Sequence, residues 1–268
     1  MKTVLSIAGS DCSGGAGIQA DIKSISANGV FAMSVITAIT AQNTMGVFDI
    51  QDITPNMIRS QIKVIFDDIK VDAIKIGMVS KVESIKAIGE ELRTIKDLPP
   101  IILDPVMVSK SGFKLLSEDA KGTLIKELFP LATLITPNLP EAEEILGIKI
   151  TNIDEMKEAA IMLKELGAKS ILVKGGHLED DATDLLYHEG EFIYLSQERI
   201  ETKHTHGTGC TLSSAIAANI AKGLDIKEAV KLAKEYITMA IANSFELGKG
   251  VGPTNHFYKL YKNSQMID

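Results

Sequence analysis

The sequence predicts an α/β fold: a central, mostly parallel sheet with helices on both faces and a small antiparallel hairpin at one edge. Two observations carry this prediction. Short β-branched runs alternate with longer segments whose apolar residues recur at three- and four-residue spacing, the pattern of strands linked by amphipathic helices. Such βαβ units align their strands in parallel and bury them on both faces. The alternation changes once, at DLLYHEGEFIYL (184–195), where two strand-like runs flank His188, Glu189 and Gly190 with no helix between them. That is a hairpin signature.

Each element has its own signal. TVLSIAG (3–9) reads as the first strand, and a helix follows a glycine-rich turn over about 15–28. SVITAIT (34–40) is the next β-branched run. A helix begins after the turn at Thr54 and Pro55 and carries Met57, Ile58, Ile62, Ile65 and Phe66 on one face, at three- and four-residue spacing. Strands over 72–77, 100–106, 132–138 and 170–176 alternate with helices over about 81–95, 118–128, 139–146 and 154–166. After the hairpin the chain returns to helices, over 211–222 and about 225–246. No interior linker, repeat or low-complexity tract interrupts it, which predicts one domain over 1–268.

The chain has 268 residues, 45% hydrophobic and 24% charged, as expected of a soluble globular protein with a sizeable core. No run of about 18 apolar residues occurs, so no membrane span is expected. The start reads as a strand rather than a secretory signal. The two cysteines, Cys12 and Cys210, lie far apart in glycine-rich segments, which predicts a reducing, cytoplasmic setting. A net charge of -7 without a basic patch argues against a nucleic-acid partner.

In an open parallel sheet, ligands bind beyond the carboxyl ends of the strands. GSDCSGGAGIQAD (9–21) follows the first strand, but it is neither the dinucleotide fingerprint nor a P-loop. Its glycines either let the backbone approach a ligand or simply turn the chain. Asp21, a turn into the helix, suits the positive end of the dipole. Gln42 and Asn43 offer donors and acceptors for a heterocycle edge, or belong to a polar turn. Asp104 ends a strand. Asn138 and Glu141, three apart at a helix start, are hard oxygen ligands suited to Mg²⁺ through water, or a capping pair. Lys174 at a strand end can meet a phosphate as a point charge, or be a plain surface lysine. His177 is expected to pack or bond locally.

HTHGTGCTLSSAIAANIAKG (204–223) admits three chemistries. As a zinc site, His204, His206 and Cys210 lack a fourth ligand at a useful spacing. As a covalent nucleophile, Cys210 has no evident orienting partner. As an anion cradle it is good: Gly207, Thr208, Gly209 and Cys210 place successive amides at a helix N-terminus.

Taken together, these segments resemble the ribokinase-like superfamily, and within it the bacterial hydroxymethylpyrimidine/phosphomethylpyrimidine kinases of thiamine synthesis. The resemblance rests on TVLSIAGSDCSGGAGIQADIKS, VITAITAQNTMGV, IKIGMVS, LDPVMVSKSG, LITPNLPEAEEIL, VKGGH and HTHGTGCTLSSAIAANIAKG, and extends to GKGVGP (248–253). It implies two ATP-dependent phosphoryl transfers. The first goes to the hydroxymethyl group of 4-amino-5-hydroxymethyl-2-methylpyrimidine, and the second to the monophosphate so formed. By the same resemblance Gln42, Asp21, Gly9, Val106 and Met78 would bind the pyrimidine. Lys174, Asn138, Thr208, Gly209 and Gly250 would bind ATP. Glu141, Asn138 and Asp104 would organise Mg²⁺, and Gly207 to Cys210 would form an anion hole. A homodimer is expected. Pyridoxine/pyridoxal kinase and a catalytically inactive nucleotide-binding relative are the alternatives, and a Cys210 hydrolase is the rival from another class. Where ribokinase-type sugar kinases carry an aspartate base, this chain has Cys210. A helix N-terminus lowers a thiol pKa from about 8.5, so a partly ionised Cys210 serving as base or positioning group is the expectation.

Overall fold

The computed structural model describes residues 1–107, 116–176 and 183–266. Among the described residues nine strands form one sheet: β1 (Thr3–Asp11), β2 (Phe31–Asn43), β3 (Gly46–Asp52), β4 (Ala73–Ile76), β5 (Ile101–Leu103), β6 (Leu134–Ile135), β7 (Ile171–Val173), β8 (Asp184–His188) and β9 (Glu191–Leu195). Their spatial order is β3-β2-β1-β4-β5-β6-β7-β8-β9. Strands β2, β1, β4, β5, β6 and β7 pair in parallel in that order, while the pairs β2–β3, β7–β8 and β8–β9 are antiparallel. The helices are α1 (Gly17–Ala27), α2 (Pro55–Asp68), α3 (Val82–Arg93), α4 (Glu118–Leu128), α5 (Leu139–Leu146), α6 (Ile153–Glu165), α7 (Thr208–Ala221), α8 (Ile226–Ala242) and α9 (Tyr258–Asn263).

Alternate residues of the central strands feed opposite faces, as a pleated strand requires. Leu5, Ile7, Ile74, Ile76, Ile101, Leu103, Ile171 and Val173 join the core under α2 to α6. Val4, Ala73, Ile102, Leu134 and Leu172 join the core under α1, α7 and α8. Helix α7 is buried nearly all round, and its alanines and serines let it lie close to the sheet. Thr54 caps α2 by accepting from the Met57 amide. On the predicted apolar face of α2, Ile58 and Ile62 are buried, whereas Met57 is exposed.

Three expectations need correction. Strand β2 is longer than 34–40, so Gln42 sits in a strand and not in a turn. Strand β3 had no counterpart in the reading, and it makes the sheet antiparallel at both edges. Its residues Phe48, Asp49 and Gln51 are exposed, so burial imposes no apolar alternation that could have announced it. Helix α7 begins at Thr208, earlier than 211, because Gly207 takes the left-handed conformation (φ 76°) that only glycine adopts freely. The hairpin itself is as expected, with Glu189 and Gly190 both at positive φ in a two-residue turn.

Candidate active site

Strand β1 is flanked by β2 on one side and β4 on the other. The chain therefore changes direction across the sheet there, and such a switch point opens a crevice at the carboxyl ends of the strands. A cavity of about 590 Å³ lies at that end. Its lining brings together Gly9, Gln42, Met78, Asp104, Val106, Asn138, Glu141, Lys174, Gly207, Thr208, Gly209 and Cys210. These residues come from seven separated stretches of the chain, and strand order alone makes them neighbours.

One end of the cavity is polar and charged. Lys174 Nζ donates to Asp104 Oδ1 at 2.9 Å and lies 4.0 Å from Glu141 Oε2. Thr136 Oγ1 also donates to Asp104 Oδ1. Glu141 and Asn138 form the capping box of α5: the Asn138 amide donates to Glu141 Oε2 and the Glu141 amide to Asn138 Oδ1, each at 2.8 Å. Capping and a place in the cavity are thus compatible in the same residues. Burial pushes the Glu141 carboxyl up to about 7; Lys174 opposes this and Asp104 adds to it. For Lys174, desolvation works to lower the pKa, but Asp104 and Glu141 together hold the ammonium above its usual range. Gly209 packs against this cluster; a Cβ there would lie 3.1 Å from Asp104 Oδ2. The start of α7 therefore aims its free amides at the charged end of the cavity.

The Cys210 thiol does not behave as expected. Burial pushes it up to about 11, the Lys75 ammonium pulls it down, and Asp21 and Asp104 push it further up. Desolvation and the two carboxylates outweigh the Lys75 ammonium, so the neutral thiol is favoured.

Asp21 is placed away from the cavity. It is fully buried, pairs with Lys75 through both carboxylate oxygens at 2.9 Å, and accepts from Ser6 Oγ (2.6 Å) and Ser214 Oγ (2.8 Å). It braces β1, β4 and α7 beneath the anion loop. Gly250 likewise lies outside the cavity lining, donating to Thr44 Oγ1 at 3.1 Å. His177 falls outside the described residues. Neither histidine of HTHGTGC joins a metal cluster: His204 Nδ1 accepts from the Gly252 amide, and His206 faces Asp11. Among the described residues no group of three or more His, Cys, Asp or Glu side chains is disposed to hold a metal ion.

The sequence reading missed Lys75, Asp11 and the role of His206. Lys75 carried a signal, being a lone cation inside the apolar run DAIKIG, since a charge on a strand buried on both faces needs a partner. Asp11 and His206 carried none, because they are far apart in sequence.

Comparison with known proteins agrees with this geometry. Residues 11–255 match the phosphomethylpyrimidine kinase family model. A hydroxymethylpyrimidine/phosphomethylpyrimidine kinase from Rhizobium meliloti is 50% identical over 262 residues, covering 96% of this chain and 98% of the relative. The crystal structure of a phosphomethylpyrimidine kinase from Clostridium difficile superposes with a TM-score of 0.80 at 52% identity, over 90% of this chain and all of that one. An ADP complex of Bacillus subtilis pyridoxal kinase superposes with a TM-score of 0.89 at 40% identity, over 97% of this chain and 99% of that one. With the match spanning most of the chain, and the charged cluster and glycine-led helix gathered at one switch point, the chain belongs to the phosphomethylpyrimidine kinase family.

Proposed function

We propose that the protein transfers the γ-phosphoryl group of ATP to 4-amino-5-hydroxymethyl-2-methylpyrimidine and then to the resulting monophosphate, as in thiamine biosynthesis. The observation that carries this reading is the meeting of the α7 amides with Lys174, Asp104 and Glu141 in one cavity that also holds Gln42. Phosphoryl transfer is governed by positioning and by neutralising charge on the moving group. Gly207, Thr208, Gly209 and Cys210 would donate backbone N–H groups to the transferring phosphoryl oxygens. Lys174 adds a point charge that needs no reorganisation, being already fixed by Asp104. Gln42 reads the edge of the ring, with Met78, Val106 and Gly9 forming the wall around it.

The donor set fits Mg²⁺. Asp104, Glu141 and the Asn138 amide are hard oxygen groups, and too few for a protein-only cage, so phosphate oxygens and water would complete the shell. When bound, the ion would draw charge from the phosphates. Glu141 must then lose its proton, and Asn138 keeps the carboxylate aimed through the capping box.

Cys210 acts in this reading as an amide donor and a neutral thiol beside the attacking hydroxyl, not as a thiolate base. The alcohol O–P bond forms as the bond from the γ-phosphorus to the bridging oxygen breaks. The hydroxyl proton leaves late and passes to an oxygen of the transferred phosphoryl group or to solvent, so no strong side-chain base is needed. Turnover of Cys210→Ala within about tenfold of wild type, against a loss of about 10²–10³-fold in Lys174→Ala, is the expected outcome.

The likeness to a pyridoxal kinase makes pyridoxine or pyridoxal the second reading. One assay decides: a coupled ADP-release assay on the pyrimidine alcohol and on pyridoxine in competition, with product mass followed to the diphosphate. Higher kcat/KM for pyridoxine overturns the substrate assignment, and no ADP from any alcohol favours an inactive nucleotide-binding relative. The two free cysteines are in keeping with a reducing, cytoplasmic setting. A homodimer is supported by Phe31, Ile39, Met45 and Phe48, large apolar residues exposed on β2, β3 and the turn between them.

A further inference from the structure

We propose that Asp11 and His206 form a positioning dyad that sets the orientation of the Gln42 side-chain amide, and so decides which donor–acceptor face a heterocycle meets in the cavity. The inference rests on the reading that this cavity takes a pyrimidine alcohol. Its starting point is the Asp11 carboxylate. Oδ1 accepts from the Ser13 amide (2.8 Å) and hydroxyl (2.7 Å), and Oδ2 from the amides of Gly15 (3.1 Å) and Ala16 (2.8 Å). Burial by itself works to raise this pKa, but the bonds from His206, Ser13 and Ala16 bring it down to about 2. Asp11 is therefore an acceptor only.

Oδ2 also lies 2.9 Å from His206 Nε2. Two lone pairs cannot face each other at that distance, so Nε2 carries a proton. The same nitrogen lies 3.3 Å from Gln42 Nε2, which would set one donor against another. The opposite end of the amide shows the matching conflict. Gln42 Oε1 lies 3.3 Å from Thr40 Oγ1, yet the one hydroxyl hydrogen of Thr40 is donated to the Ser10 carbonyl at 2.9 Å. An acceptor there faces an acceptor. A half-turn of the amide, which exchanges oxygen and nitrogen without moving the chain, resolves both conflicts together. The amide oxygen then becomes a second acceptor for the His206 Nε2–H, shared with Asp11 Oδ2 as a bifurcated bond, and the amide nitrogen donates to Thr40 Oγ1.

The ring that imposes this choice is itself held. The His206 amide donates to the Gly252 carbonyl at 3.0 Å. Gly15 leaves the ring its space, since a Cβ there would lie 2.2 Å from Cδ2. His206 also adjoins Gly207, the cap of α7. One residue thus ties the recognition end of the cavity to its phosphate end. An amidine-like edge, a ring nitrogen beside an exocyclic amino group, presents an acceptor next to a donor. It pairs with an amide in one sense only, so a reversed Gln42 would leave both contacts unmade.

Two measurements test the proposal. In ligand-free protein with ¹⁵N-labelled histidine, the His206 ring is expected to show Nε2 protonated; a bare Nε2 overturns the dyad. The second compares kcat/KM for the pyrimidine alcohol with that for its analogue lacking the 4-amino group. In His206→Leu the preference for the amino compound is expected to fall about tenfold, through KM for the alcohol, with KM for ATP held within about twofold. His206→Gln, whose amide N–H reaches toward the position of Nε2, restores most of the preference. The double variant with Gln42→Ala is no worse than Gln42→Ala alone, as expected of groups that act through one another. Losses that multiply in the double variant overturn the proposal. Failure of the wild type to phosphorylate any pyrimidine alcohol overturns the functional reading instead, and leaves the labelled-histidine result to decide the dyad.

Discussion

Lys75 and Asp21 have no exposed side-chain surface at all. Desolvation works to lower the Lys75 pKa, but Asp21, with Asp104 adding to the attraction, holds the ammonium above its usual range. Removing one partner of such a pair leaves the other charge buried alone, at about 3–5 kcal/mol. Asp21→Ala is therefore expected to lower unfolding stability in urea by that amount, with any loss of activity following the loss of folded protein. At Glu141 the neutral form is the favoured one. Its folded pKa is near 7 against an ordinary 4.5, so its stabilising contribution is present below the unfolded value and is lost as pH rises through 7. Tm of the ligand-free protein should carry a downward component between about pH 5 and about pH 8 that is absent in Glu141→Gln. The half-saturating Mg²⁺ concentration for turnover should rise from about pH 8 to about pH 6, because the ion then competes with a proton. Equal Mg²⁺ dependence at both pH values would remove Glu141 from the metal site.

At the scale of the element, the junction before α7 has no slack. Gly207 sits at φ 76°, and a Cβ on it would lie 1.8 Å from the Gly15 carbonyl oxygen. Gly207→Ala is expected to cost more than the roughly 1–3 kcal/mol of backbone strain alone, because the 9–21 loop must also move. The expected result is a lower Tm together with a fall in kcat of about 10²-fold or more, as the amides lose their aim. Near-normal kcat in the folded variant would show that the cap does not place the anion hole. Much of this element was legible. The small-residue helix and its leading glycines identified a close-packed helix with a glycine cap at its start. The state of the Cys210 thiol was not legible, because it depends on burial and on Lys75, Asp21 and Asp104, brought beside it by other elements of the fold.

At the scale of the molecule, the sheet explains why residues from so many segments share one cavity: parallel strands put all their carboxyl ends on one side. Its open edge also carries a prediction. Phe48 is 69% exposed on edge strand β3, and an exposed apolar edge is a liability unless covered. Sedimentation should find a dimer, and Phe48→Glu should shift it toward monomer with kcat per chain retained. A wild-type monomer at micromolar concentration would dismiss the dimer.

The sequence by itself determined the strand and helix alternation, the hairpin, the helix caps and the glycine-led start of α7. All of these follow from local periodicity, turn chemistry and backbone amides. It also placed Lys174 and Asp104 at strand ends, and Asn138 and Glu141 at the helix start that follows one, where a parallel sheet gathers them. Tertiary structure alone decided that Asp21 turns inward to Lys75, that the Cys210 thiol stays protonated, that β3 adds an exposed edge, and that Asp11 meets His206 across the fold. The physical reason is common to all four. Burial and long-range electrostatic partners set them, and neither a residue's exposure nor its partner from a distant strand is encoded in its immediate neighbours.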